Sequence, residues 1–272
     1  MVIQDCRMML TNARLSAVAA SAFLLLLLQA PCAANGTREV ITLTTGEWRP
    51  YMSEQFARYG AIPAIVSAAF ALEGIEVNYV FRPWKRAYEE AADGRADGSL
   101  AWSSSQRGND QRRRVFYFSD MVFEGQSVFF HLKSAPFRWR DNQALRGVSI
   151  GGTIGYQYSF DGYPGIRIDR SAPTDELNFR KLLAGRFQIF PSNLDVGLYF
   201  LRRQLPPEQA ALITWDPEPY DTTSYHLVLN RKNTANPGYL ARFNRGLQQL
   251  KASGKYQQYI DEMRNEMHGI AK

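Results

Sequence analysis

The chain is 272 residues long and carries 32 Lys and Arg against 26 Asp and Glu, a formal net charge of +6. That excess suits anionic ligands or a charged cell envelope, but it is too small and too dispersed for a nucleic-acid-binding protein. Two cysteines and three widely separated histidines (His131, His226 and His268) exclude a disulfide framework, a zinc site and a histidine-based catalytic triad.

In chain order, Arg7 and Arg14 precede an apolar stretch from Leu15 to Leu28, followed by Ala30-Pro31-Cys32-Ala33-Ala34. This is the pattern of a secretory signal peptide over residues 1–34, cleaved near Ala33 or Ala34. The apolar part is too short for a membrane span, and none is expected after cleavage. Gln29 and Pro31 fit a lipoprotein site at Cys32 poorly. Cys6 and Cys32 both lie in the removed part, so the mature chain has neither disulfides nor thiol chemistry.

Val40 to Thr45 alternates apolar residues with Thr, a strand signal, and Glu47-Trp48-Arg49-Pro50-Tyr51 follows as a loop. Ile62 to Glu73 has apolar residues at helical spacing and ends at Gly74. A strand over Val77 to Phe81, a helix over Trp84 to Ala92 behind Pro83, and a strand over Gly98 to Trp102 complete a β-α-β-α-β order. That order predicts a parallel sheet with helices packed on it. The stretch WSSSQRGNDQRRRVFYFSD, Trp102 to Asp120, places small hydroxyls and arginines just past a strand end. An open α/β sheet holds its ligands at such ends, and arginine grips a carboxylate through two parallel hydrogen bonds. Taken alone, the stretch is either such a site or a solvated basic loop.

Val115 to Phe118 and Ser127 to Leu132 are β runs, and the polar, Pro-containing Ser134 to Asn142 marks a lobe boundary. A strand over Val148 to Ile150, a glycine turn, a helix over Asn178 to Ala184, a strand over Phe187 to Phe190 and a helix over Val196 to Arg203 form a second α/β block. Tyr225 to Asn230 is a further β run, and Gly238 to Met267 is amphipathic and helical with a break at Ser253-Gly254. Two β runs flanking a central block predict two lobes joined by two crossing strands, with a single large domain as the alternative. Lobe 1 is expected over residues 38–131 and 225–268, and lobe 2 over 135–222.

Four motifs resemble one family. They are Trp48-Arg49-Pro50-Tyr51 after the first strand, Gly94-Arg95-Ala96-Asp97-Gly98 before the third, an Arg shortly before Phe118-Ser119-Asp120, and Gly254-Lys255-Tyr256 near the end. In this order, behind a signal peptide, they are similar to bacterial extracellular solute-binding proteins of family 3, the polar amino-acid-binding type. The resemblance covers about residues 38 to 266. It implies a two-lobed periplasmic-binding-protein fold of type II, with two hinge-crossing strands and a cleft that closes by hinging.

It also implies ligand roles. Trp48 packs on the solute, Trp84 lines the cleft, and Trp102, Ser103 and Ser104 belong to the hydrogen-bonding region. The arginine six residues before Phe118 is Arg112, the expected carboxylate grip. Gly155 and Tyr156 match the glycine turn that opens a lobe 2 helix, whose N-terminus could meet an anion. Asn193 matches the position at which the family's Asp receives the ligand ammonium. The chain departs from the pattern in three places. About four extra residues separate Ser104 from Arg112, which leaves Arg107 as an alternative grip. Asn193 lacks the charge of Asp, and the turn is Thr-Ile-Gly-Tyr instead of Gly-Thr-Thr.

The function expected is capture of a small polar, carboxylate-bearing, amino-acid-like solute in the periplasm for an inner-membrane ABC permease. The protein is expected to be a monomer without metal or cofactor and to have no nucleic-acid partner. One alternative is a dehydratase-like enzyme on the same fold, with Glu47 the best-placed carboxylate. The other is a sensor or interaction protein that presents the ligand.

Overall fold

The computed structural model describes residues 39–103 and 109–268. The expected signal peptide, Ser104 and Arg107 lie outside the described residues. Nine strands among the described residues form one continuous sheet.

The first half follows the β-α-β-α-β order. Strand β1 (Glu39–Thr45) leads to helix α1 (Ala61–Ala71), β2 (Ile75–Phe81), α2 (Trp84–Ala92) and β3 (Gly98–Ser103). β1 pairs in parallel with both β2 and β3. The arginine-rich segment is not wholly a loop, because Asn109–Val115 forms a short helix, α3. Its arginines point to different sides: Arg112 is half-buried, while Arg113 and Arg114 are exposed.

The two β runs expected at Val115 to Phe118 and Ser127 to Leu132 belong to one strand, β4 (Phe116–Leu132). Polar Ser119, Asp120, Glu124 and Gln126 conceal its middle, but these residues are still paired or bulged against β9 (Asp221–Asn230). The Phe118-Ser119-Asp120 motif sits at the register shift. There the Ser119 hydroxyl accepts the Leu227 N–H at 3.1 Å and stands in for a lost ladder acceptor. The far end of β4 pairs antiparallel with β7 (Ile189–Asn193) and β8 (Ile213–Trp215). β7 pairs in parallel with β5 (Ile150–Thr153), which pairs with β6 (Ile168–Ala172). β4 and β9 therefore run side by side between two half-sheets.

The glycine motif before β3 is a packing device. A side chain on Gly98 would lie 2.1 Å from the Val228 carbonyl oxygen. The Asp97 carboxylate accepts the Thr42 N–H and the Asn233 amide, each at 2.8 Å, and so ties β1 to the turn after β9.

Helices α4 (Asp175–Leu183), α5 (Leu194–Arg203) and the short α6 (Pro207–Ala210) belong to the second block. The chain ends in α7 (Asn236–Ala252) and α8 (Lys255–His268), separated at Gly254, whose φ of 75° suits a helix stop. The core divides accordingly. Leu43, Ile65, Phe70 and Leu229 pack with Phe243 and Leu247 of α7 around the first half-sheet. Adjacent Phe129 and Phe130 of β4 point to opposite faces of the second. Phe130 packs with Phe179, Phe190 and Phe200, and Phe129 with Leu145, Phe160 and Ile189.

Candidate ligand-binding cleft

The cleft is built where the two half-sheets meet. Trp48 is held by paired backbone hydrogen bonds with Met52, each 3.0 Å, across the turn that contains Pro50. Its ring packs on Tyr51 at 4.5 Å and Tyr225 at 4.8 Å between centroids. Trp84, in the first turn of α2, donates its indole N–H to the Glu47 carbonyl at 3.2 Å and lies edge-on to Trp102 at 5.7 Å. Gly46 leaves room for it, because a side chain there would sit 2.5 Å from the indole. Trp102 donates to the Ser99 hydroxyl at 2.7 Å. Before it, Ala101 has a φ of 64° at a register shift against β9, a conformation that costs an L-residue about 1–2 kcal/mol.

Arg112 lies over Trp102, its guanidinium carbon 5.1 Å from the ring centroid, and reaches the Ser103 hydroxyl at 3.4 Å. Burial draws its pKa down, and no carboxylate among the described residues pairs with it. Arg113 instead stacks on Phe118 at 5.0 Å.

All eight described candidates — Trp48, Trp84, Trp102, Ser103, Arg112, Gly155, Tyr156 and Asn193 — line one cavity of about 200 Å³. Ser104 is outside the described residues. The helix expected after Gly155 is absent: residues 154–167 form turns, so no helix N-terminus faces an anion there. Gly155 keeps a φ of 81°, and the Tyr156 N–H closes a turn on the Thr153 carbonyl at 3.1 Å.

Asn193 ends β7 and caps α5. Its Oδ1 accepts the Asp195 N–H at 3.0 Å and the Tyr51 hydroxyl at 2.5 Å. Its buried Nδ2 has no partner among the described residues. Turning the amide over would set an NH₂ against the Asp195 N–H, so the orientation is determined. Glu47, the carboxylate considered for chemistry, is exposed, accepts the Glu54 N–H at 2.8 Å and pairs with Arg49 at 3.5 Å.

Sequence reasoning missed several lining residues. Asp221, Thr223 and Tyr225 line the cavity at alternate positions on β9, a period-2 signal present in the sequence. A further omission is Asp175, the first residue of α4, which lines the same cavity. Its carboxylate accepts from the Thr153 hydroxyl at 2.5 Å and from the Ser192 hydroxyl at 3.5 Å. Burial pushes its pKa up to about 6, against these hydrogen bonds.

A cavity at the junction of two half-sheets joined by paired crossing strands, lined by indoles and a guanidinium that no carboxylate among the described residues pairs with, is the architecture of a solute trap. Residues 40–264 match the family of bacterial extracellular solute-binding proteins, family 3. The chain belongs to that family.

This solute-binding protein has no match among curated protein sequences. Its fold is that of many solved structures. A mutant of ArgBP from T. maritima superposes with a TM-score of 0.64 at 19% identity, over 82% of this chain and 95% of that one. A histidine kinase sensor domain similar to periplasmic binding proteins gives 0.66 at 18%, over 83% and 96%. The GluR0 ligand-binding core from Nostoc punctiforme, in complex with L-glutamate, gives 0.65 at 16%, over 82% and 98%. The α/β, two-lobed type II fold expected from the motifs is therefore the fold of this chain. No helix among the described residues is long and apolar enough to cross a membrane.

Proposed function

We propose that the protein captures a small polar, carboxylate-bearing, amino-acid-like solute in this cleft and delivers it to an inner-membrane ABC permease. The chain would be exported by the signal peptide over residues 1–34 and act as a monomer without chemistry of its own. Lobe 1 is taken as residues 38–131 with 225–268, and lobe 2 as 135–222. The observation that carries this reading is Arg112: a half-buried guanidinium in the cavity, stacked on Trp102, with no carboxylate of the described chain to neutralise it. A buried cation without a partner is costly, and a ligand carboxylate removes that cost through charge-assisted hydrogen bonds. The GluR0 ligand-binding core, whose fold is similar, holds L-glutamate, which supports an amino-acid-like ligand. Trp48 and Trp84 supply flat apolar walls, and Ser103 supplies a hydroxyl.

The test is a thermal-shift screen of the purified protein with amino acids, polyamines, organic acids and small peptides. A ligand at 100 times its Kd stabilises by about 2.7 kcal/mol. Arg112→Ala is expected to abolish the shift with carboxylate ligands, whereas Arg107→Ala leaves it. The reverse pattern transfers the grip to Arg107. Absence of any shift, together with turnover of a cyclic acid, overturns the binding reading.

A further inference from the structure

The charged side chains of the cleft do not balance. Among the described residues lining the cavity, one is cationic, Arg112, and two are anionic, Asp175 and Asp221. Arg112 lies beside Trp102 and Ser103 on the lobe 1 side. Asp175 projects from α4 in lobe 2 and is bonded to Thr153 of β5 and Ser192 of β7. Asp221 opens β9 and accepts the Thr223 hydroxyl at 3.1 Å. Neither carboxylate is ion-paired with a described residue.

Asn193 cannot receive a ligand cation. Its oxygen is occupied by the Tyr51 hydroxyl and the Asp195 N–H, and its remaining polar group is an N–H donor. Asp175 has the missing chemistry. It holds an acidic carboxylate in place through hydroxyl groups alone, and hydroxyls do not neutralise charge. Tyr156, Tyr158 and Tyr225 line the same cavity and lie within the electrostatic reach of Asp175. Aromatic faces beside a carboxylate form a favourable surround for an ammonium or guanidinium group.

We propose that Asp175 is the cation-receiving group of the cleft and that, with Asp221, it selects a solute of net positive charge, a basic amino-acid-like molecule. The inference rests on the reading of the cleft as a solute site and narrows its substrate class. One carboxylate of the solute meets Arg112, and its cationic groups meet Asp175 and Asp221. Such a ligand brings the charge of the lining to balance. A neutral amino acid leaves one aspartate uncompensated, and an anionic one also sets its second carboxylate in the cleft with that aspartate.

The test is calorimetric titration of the wild type, Asp175→Asn and Arg112→Ala with five probes: L-lysine, L-arginine, L-norleucine, L-glutamate and cadaverine, which is lysine without its carboxylate. The wild type is expected to bind L-lysine or L-arginine at least about tenfold more tightly than L-norleucine or L-glutamate. Asp175→Asn keeps the size of the side chain and an acceptor for Thr153, and is expected to weaken the basic amino acids by at least about tenfold. Preference for L-glutamate or L-norleucine in the wild type, or unchanged affinity in Asp175→Asn, overturns the inference and leaves the carboxylate reading intact. Binding of cadaverine that survives Arg112→Ala but is lost in Asp175→Asn, with no binding of any amino acid, has the opposite meaning: the carboxylate reading fails and the cation site stands. If no cation-bearing probe binds the wild type, the inference is wrong. Should Asp175→Asn not fold, Asp175→Ser takes its place.

Discussion

Asp175 carries a charge that its buried position does not favour. Its pKa is about 6 in the folded protein, against 3.8 for an ordinary Asp. The folded state therefore binds its proton more tightly than the unfolded chain does. Stability from this residue is full below about pH 4 and is lost as pH rises to about 6. The shift corresponds to at most about 3 kcal/mol, and less because the carboxylate is partly exposed to solvent in the cleft. Asp175→Asn is thus expected to raise the Tm of the ligand-free protein at pH 7.5 and to leave it unchanged near pH 4. Equal melting at both pH values would show that the carboxylate is not held against its solvation. Tyr51 and Asn193 pull in the other direction. Asn193→Ala removes the α5 cap and leaves the buried Tyr51 hydroxyl with Asp195 alone, so a loss of about 1–2 kcal/mol is expected in denaturant titration. Asn193 was legible because its place after a β run matched a motif. Asp175 was passed over because the helix was expected to start at Asn178. Thr174 followed by Asp175 and Glu176 is a cap with acidic first-turn residues, and that signal was present.

Elements with unbroken periodicity were readable, and those that relied on a partner were not. The helix over Trp84 to Ala92 has the expected bounds, since Pro83 starts it and Asp93-Gly94 stops it through local conformation. β4 was divided in two because its middle is polar, yet it pairs with β9 over that middle, a long-range match that alternation cannot show. β6 was missed for a related reason. Its sequence IDRSA has little apolar content, and it becomes a strand by pairing with β5 at the sheet edge. Helix packing is equally non-local. Gly246 on α7 meets α1 so closely that a side chain would lie 2.0 Å from the Ala69 carbonyl oxygen, a backbone atom that cannot swing aside. Gly246→Ala is expected to destabilise by about 1–3 kcal/mol or more, lowering Tm by several degrees. An unchanged melting curve would place the α1–α7 contact further apart than described.

Three of the five tryptophans, Trp48, Trp84 and Trp102, line the cleft, while Trp139 and Trp215 pack in the second block. Solute binding should therefore change intrinsic fluorescence at the scale of the whole molecule. Trp139→Phe is expected to keep most of the change and Trp102→Phe to remove much of it; a signal lost equally in both would place the response outside the cleft. Composition and periodicity alone determined the β-α-β-α-β block, most of the second α/β block and the presence of the β runs on either side of it, but not how those runs pair. Those features arise from contacts close along the chain and from local conformational preference. Which side chains share the cleft was decided by tertiary structure. Arg112, Asp175 and Asp221 are distant in sequence, and only the crossing of β4 and β9 between the half-sheets brings them to one cavity. The charge balance of that cavity is a sum over the assembled chain, which no single segment contains.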